Sequence, residues 1–205
     1  MNTDPIIIKP IRPENWLPDR CLNGSDPFDP SSHLPASGCP GLNFSIKNSR
    51  ETLEQLYRSV INQYGGCGFI AWENDKIIAY HNVFPSETAR KIKFYGYGLD
   101  SAPPGKTLIH YCLTIVKGNY VRKGICSRLV KTSIDWTVAN DWKRVEVHRV
   151  LPDCEKGWQS DQKSCLTCWE LFGFRVFKEY EADQATKEYY GVTKSYSIYL
   201  SLDDN

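Results

Sequence analysis

Residues 107–124 constrain the fold more than any other stretch of this 205-residue chain. Thr107 to Val116 is rich in β-branched residues and leucine, which predicts a buried strand. It runs directly into Lys117-Gly118-Asn119-Tyr120-Val121-Arg122-Lys123-Gly124, a short basic loop. Beyond the loop, Ile125, Leu129, Ser133, Ile134 and Trp136 mark an amphipathic helix ending near Asn140-Asp141. A strand delivered through a glycine-containing loop to a helix N-terminus makes an anion site, because unpaired N–H groups and the helix dipole converge there. The predicted guest is a phosphate, with Arg122 and Lys123 beside it and Arg128 and Lys131 able to reach a second one. The segment is not a nucleotide P-loop, since no Gly-Lys-Ser/Thr follows, and its glycine spacing is wrong for the dinucleotide fingerprint.

The remaining elements arrange themselves around this segment. Residues 5–11 read as a strand, with a turn at 12–16 leading into a short helix. A helix capped by Asn48 or Ser49 ends at Gly65-Gly66, and 69–72 with 77–83 form a hairpin about Asn74-Asp75. Lys91 to Tyr97 reads as a further strand, then 144–150 as a strand and 164–172 as a short helix closed by Gly173. Residues 174–181 and 192–202 are the last two strands. This order predicts an α/β (α+β) domain with a mixed, largely antiparallel sheet, taking 1–205 as one domain without repeats or linkers. Two irregular segments interrupt it: the proline- and glycine-rich loop 18–42 and the polar insert 152–163.

Composition narrows the partners. With 25 Lys+Arg against 24 Asp+Glu, the net charge of +1 argues against a nucleic-acid partner. No apolar run approaches the roughly 20 residues that span a bilayer. The opening Met-Asn-Thr-Asp-Pro lacks the features of a secretory leader, so a cytoplasmic location is expected, with the eight cysteines as reduced thiols.

On these residues the chain resembles the GCN5-related N-acetyltransferase (GNAT) superfamily. Ile7-Ile8-Lys9-Pro10-Ile11-Arg12-Pro13-Glu14-Asn15-Trp16 resembles its opening strand and turn, and 69–83 its second and third strands. Tyr120-Val121-Arg122-Lys123-Gly124-Ile125-Cys126-Ser127-Arg128-Leu129 is similar to its acetyl-CoA loop, Arg/Gln-x-x-Gly-x-Gly/Ala. Cys168-Trp169-Glu170-Leu171-Phe172-Gly173-Phe174 resembles its later Phe-Tyr-Glu-x-Leu-Gly-Phe motif.

The resemblance implies helices on both faces of the sheet and a V-shaped acyl-CoA cleft between splayed parallel strands, here 107–116 and 144–150. It implies an acetyl-CoA-dependent N-acetyltransferase in which a primary amine, on a small molecule or a peptide, attacks the thioester directly in a ternary complex. The alternative is a GNAT-fold module that holds CoA or a protein partner without turnover. Cofactor contacts fall on Val121, Arg122, Lys123, Gly124, Ile125, Cys126, Ser127 and Arg128 for the pyrophosphate. Thr114, Ile115 and Val116 fall along the pantetheine arm, with a backbone N–H near Thr114 polarising the thioester carbonyl. No metal is expected, and dimerisation is common in such folds. The 18–42 loop and the 152–163 insert, which contains Trp158, would wall the acceptor side.

Val121 stands at the Arg/Gln position of the loop, with Arg122 next to it in compensation, and Cys126 fills the second small position. Trp169 stands where many members carry the tyrosine that protonates the leaving thiolate, and an indole N–H is no acid at neutral pH. That role is empty or filled from elsewhere, with Tyr111, Tyr189 and Tyr190 as candidates. For the base that deprotonates the amine, His110 lies fourteen residues before Gly124, where the histone-acetylating branch has its glutamate. The other candidates are Glu146 and His148, which alternate along 145–148 and so share a strand face. Cys165-x-x-Cys168 suggests zinc with Cys154, Cys39 or Cys21, but Cys126, Cys165, Cys168 and Cys112 fit as small or apolar fillers.

Overall fold

Seven strands make one sheet whose spatial order, β1-β2-β3-β4-β5-β7-β6, departs from chain order only at its last two members. They are β1 (Ile7–Pro10), β2 (Gly68–Glu73), β3 (Lys76–Pro85), β4 (Thr107–Ile115), β5 (Arg144–Val150), β6 (Arg175–Glu181) and β7 (Lys194–Ser201). Among the described residues five helices accompany them: α1 (Arg50–Tyr64), α2 (Ser86–Lys91), α3 (Ile125–Ala139), α4 (Leu166–Glu170) and α5 (Gln184–Tyr190). The computed structural model describes residues 6–12, 14–15, 50–91, 105–115, 120, 123–154 and 165–202.

Every neighbouring pair is antiparallel except β4 with β5. The β2–β3 turn uses Asn74 and Asp75 at φ 48° and 60°, a left-handed pair that suits the twist of a two-residue hairpin. Gly68 opens β2 at φ 131°, where a Cβ would collide with the His81 carbonyl oxygen, so only glycine allows β2 and β3 to close there.

The helices cover opposite faces. Tyr57 and Val60 of α1 and Ala89 of α2 pack with Ile70, Phe84 and Ile109 on one. Ile125 and Leu129 of α3 pack with Phe69, Ala71, Ile78 and Ile115 on the other. Val130 continues the α3 face into a second cluster with Val145, Val147, Trp169, Phe174 and Ile198. The mixed, mostly antiparallel sheet expected from the sequence is what the chain forms.

Three local readings need correction. Lys91 does not begin a strand but closes α2, while 92–97 lie outside the described residues. Cys165 is not helical: it is extended, one residue before α4, and bridges Leu151. Helix α5 stands between the two last strands, where the sequence reading has no element, although its signals are present. Asp183 caps it by accepting the Thr186 N–H at 2.8 Å, and Gly191 ends it at φ 69°. The loop 18–42, the helix cap at 48–49, the helix start at 16 and most of the insert 152–163 lie outside the described residues.

Candidate active site

The parallel pairing of β4 and β5 is short. It runs from Thr107↔Arg144 through Leu108↔Val145 and Ile109↔Glu146 to His110↔Val147, and stops there while both strands continue. Each strand is irregular at the next step. Opposite β3, β4 passes from His110↔Val83 to Cys112↔Asn82, leaving Tyr111 as the extra residue. Opposite β7, β5 passes from Val147↔Ile198 to Val150↔Tyr196, so His148 and Arg149 face Ser197 alone. Arg149 takes φ 58° to do this. Bulges bend a strand and increase its twist. Two of them directly beyond one register pair turn β4 and β5 apart, and the β5-facing edge of 111–115 is left without a strand partner among the described residues.

That open edge leads toward the start of α3. Gly124 holds φ 73° as its N-cap, and among the described residues no side chain caps the helix. The main-chain N–H groups of Ile125, Cys126 and Ser127 are those the helix cannot pair internally, and the first turn carries no acidic residue to compete for them. Lys123 is exposed, with its ammonium 5.5 Å from the Tyr120 ring centre, and the Tyr120 hydroxyl donates to Glu73 at 2.6 Å. Two predicted phosphate cations are partly engaged: Arg128 donates to the Ile6 carbonyl at 2.8 Å, and Lys131 pairs with Asp135 at 2.8 Å. Val116, Val121 and Arg122 lie outside the described residues, as do the side chains of Tyr111 and Thr114. Ile115 is buried against Ile125 and Leu129.

The candidate bases divide between the two faces of the sheet. His110 faces α3. Its Nε2 lies 3.3 Å from Ser133 Oγ, its ring meets His81 edge-on at 4.3 Å, and Trp169 and Phe174 stand 5.6 and 6.0 Å away. His81 is fully buried. Burial pushes its pKa down to about 4, partly offset by the main chain of Leu129. Burial also holds His110 well below the ordinary histidine value, with His81 adding to the effect. Both nitrogens of His81 and Nδ1 of His110 lack a hydrogen bond of good geometry among the described residues. This is a neutral, apolar pair of imidazoles.

Glu146 and His148 occupy the other face, where Ile109, the register partner of Glu146, packs with α1 and α2. The alternation expected for them is real: His148 Nε2 is 3.1 Å from Glu146 Oε2. Glu146 is fully buried, and its Oε1 accepts from Arg144 Nε at 2.7 Å. The Arg144 guanidinium is itself held 4.1 Å above the Tyr199 ring and 5.1 Å from Phe177. His148 Nδ1 lies 2.7 Å from Ser197 Oγ, which is 3.4 Å from the Tyr180 hydroxyl. Sequence reasoning missed Arg144, Ser197 and Tyr180. Arg144 continues the alternation two residues earlier and was legible, whereas Ser197 and Tyr180 depend on a register that no local pattern reveals.

Trp169 is buried on the α3 face against Phe174, at 5.1 Å. Tyr190 is buried with Leu151 and Val192, and Tyr189 is largely exposed against it. Burial raises the thiol pKa of Cys67 and Cys168, and that of Cys165 to about 11. These thiols stay protonated at neutral pH. Among the described residues no three Cys, His, Asp or Glu side chains are grouped as metal donors, and no helix is long and apolar enough to cross a membrane.

No protein-family model and no curated protein matches this sequence. Solved structures do. A GNAT family acetyltransferase from Elizabethkingia anophelis with acetyl-CoA bound is 16% identical, with a TM-score of 0.52 over 97% of this chain and 99% of that one. An N-acetyltransferase from Staphylococcus aureus Mu50 is 12% identical, with a TM-score of 0.57 over 98% and 100%. The ribosomal-protein-S18-alanine N-acetyltransferase from Escherichia coli is 10% identical, with a TM-score of 0.51 over 96% and 94%. Likeness at such identities defines the fold, which is that of the GCN5-related N-acetyltransferases.

Proposed function

We propose that this protein is an acetyl-CoA-dependent N-acetyltransferase that transfers the acetyl group to a primary amine by direct attack in a ternary complex. The observation that carries this reading is the end of β4–β5 pairing at His110↔Val147, with β4 continuing toward an α3 N-terminus that no side chain among the described residues caps. A thioester arm lying in that opening would take the place of the missing strand. Its pyrophosphate would meet the N–H groups of Gly124, Ile125, Cys126 and Ser127, with Val121, Arg122, Lys123 and Arg128 completing the loop. A main-chain N–H near Thr114 on the free edge of β4 would polarise the thioester carbonyl, alongside Ile115 and Val116. The acetyl-CoA-bound structure of the Elizabethkingia relative supports this choice of co-substrate.

In this reading Glu146 and His148 serve the amine. They flank Val147, where the strands part, and present a carboxylate and an imidazole on one face. Glu146 takes a proton from the ammonium, directly or through a water, and the freed lone pair attacks the carbonyl carbon. The C–S bond breaks, and the CoA thiolate is protonated as the second N–H is lost. The overall reaction releases one proton to solvent. His110, neutral and enclosed by aromatic rings on the α3 face, is better suited to packing than to this step. The reading takes the chain as one domain acting in the cytoplasm, with an amine-bearing small molecule or peptide as acceptor.

Burial of Trp169, where the family's acid would stand, favours a second reading, a CoA-binding module without turnover. Thermal shift with acetyl-CoA and CoA, followed by thiol release with a panel of amines, separates the two. The transferase requires both a shift and release. A shift without release for any amine supports the module, and no shift removes both.

A further inference from the structure

The polar array behind Glu146 extends across three strands, and the charge state of His148 sets the direction of its hydrogen bonds. Arg144 and Glu146 lie on β5 with His148, Ser197 lies on β7 and Tyr180 on the edge strand β6. Ser197 is fully buried and Tyr180 half-buried. A neutral His148 with its proton on Nδ1 would turn the Nε2 lone pair toward a carboxylate oxygen 3.1 Å away, setting two acceptors against each other. In the neutral imidazole the proton therefore belongs on Nε2, donated to Glu146. Nδ1 must then accept, and the Ser197 hydroxyl at 2.7 Å is placed to donate to it. The Ser197 and Tyr180 hydroxyls lie 3.4 Å apart, and in this state, with the Ser197 proton committed to Nδ1, Tyr180 would be the donor between them.

The backbone is shaped to permit this. The bulge that sets His148 and Arg149 against Ser197 holds Arg149 in the left-handed region, a conformation costing a non-glycine residue about 1 kcal/mol. Charges face the array at both ends: the Arg144 guanidinium on Glu146 and the Lys178 ammonium 4.8 Å from the Tyr180 ring centre. An ion pair buried in this way adds little net stability.

We propose that Ser197 and Tyr180 are positioning residues for the acetyl transfer: they fix the His148 tautomer, which in turn holds Glu146 as the carboxylate base. This rests on the transferase reading, and its test has one arm that needs no turnover. In the full-length chain labelled with [15N]histidine, NMR reads the His148 tautomer directly. The expected state at neutral pH is Nε2–H with an accepting Nδ1. Ser197→Ala should shift the Nδ1 resonance, Tyr180→Phe should do so less, and Ser197→Thr should restore it. An Nδ1–H tautomer in the parent, or no response to Ser197→Ala, overturns the proposal.

The second arm uses an amine that supports thiol release. Ser197→Ala should lower kcat about tenfold, with KM for acetyl-CoA unchanged, a loss on the scale of one hydrogen bond to a charged array. The acidic limb of the kcat profile should move as well, and Ser197→Thr should recover the rate. An unchanged kcat, or a loss that Thr does not recover, overturns the role. If no amine releases thiol, the transferase reading fails, while the tautomer measurement still decides whether the two hydroxyls control His148.

Discussion

The two faces of the sheet each bury histidine in an almost identical position along adjacent strands, yet they treat it in opposite ways. On the α3 face His110 and His81 meet edge to face, His110 lies against Trp169 and Phe174, and three of the four ring nitrogens lack a hydrogen bond of good geometry among the described residues. On the other face both nitrogens of His148 are engaged, by Glu146 and Ser197, and Glu146 is tied in turn to Arg144. Burial alone therefore does not assign a role to an imidazole. A histidine without partners is a neutral packing unit, whereas one between a carboxylate and a hydroxyl has a defined tautomer and can direct a proton.

The largest effect should come from breaking the partnered face. Glu146→Gln removes the proposed base and is expected to reduce thiol release by about 10²- to 10⁴-fold, the usual contribution of general-base catalysis. The acetyl-CoA-induced thermal shift should persist, because the proposed cofactor contacts lie on β4 and α3. His110→Gln, measured beside it with folding checked by circular dichroism, should change the rate far less. The reverse pattern would move the catalytic role to the α3 face.

The unpartnered face should appear in stability against pH. Below about pH 6.5 the unfolded chain protonates its histidines, whereas folded His81 resists until about pH 4. The unfolded state then binds more protons, so stability is complete above pH 6.5 and falls as the pH drops toward 4. At about 1.4 kcal/mol per pH unit, His81 alone accounts for roughly 3 kcal/mol, and His110 adds to it in the same direction. Urea unfolding at pH 7.5 and 4.5 measures the loss, and His81→Leu should remove the larger part. A parent protein equally stable at both values would mean that the pair is hydrated or partnered.

The same comparison shows what the sequence could and could not reveal. Strand β4, its loop and α3 were readable because their signals are local: a β-branched run, a glycine at φ 73° and an apolar helical face. The hairpin about Asn74 and Asp75 was readable for the same reason. Alternation placed Glu146 and His148 together, and they do meet. It gave no means of knowing that His110 faces the other way, because the face of a strand relative to its neighbours is set by register and by bulges. The parallel register Ile109↔Glu146 and His110↔Val147 decides this, and the bulges at Tyr111 and at His148–Arg149 that end the pairing carry no glycine or proline to announce it. The partner role of Ser197 was hidden for that reason too, since it follows from β7 lying between β5 and β6.

The smallest expected effect concerns Trp169, where the sequence resemblance would have a tyrosine acting as acid. If the α3 face only packs, restoring a tyrosine there cannot restore chemistry. Trp169 is 4% exposed, with its ring against His110 and Phe174. Trp169→Tyr would bury a hydroxyl in an apolar cluster and leave part of the indole volume empty. A cost of about 1–2 kcal/mol follows from the lost packing and the unpaired polar group. Thiol release per folded molecule should not rise, and the basic limb of its pH profile should not move. A gain in rate with a new basic limb would show that the position reaches the leaving thiolate, and the division between a packing face and a chemical face would then have to be redrawn at α4.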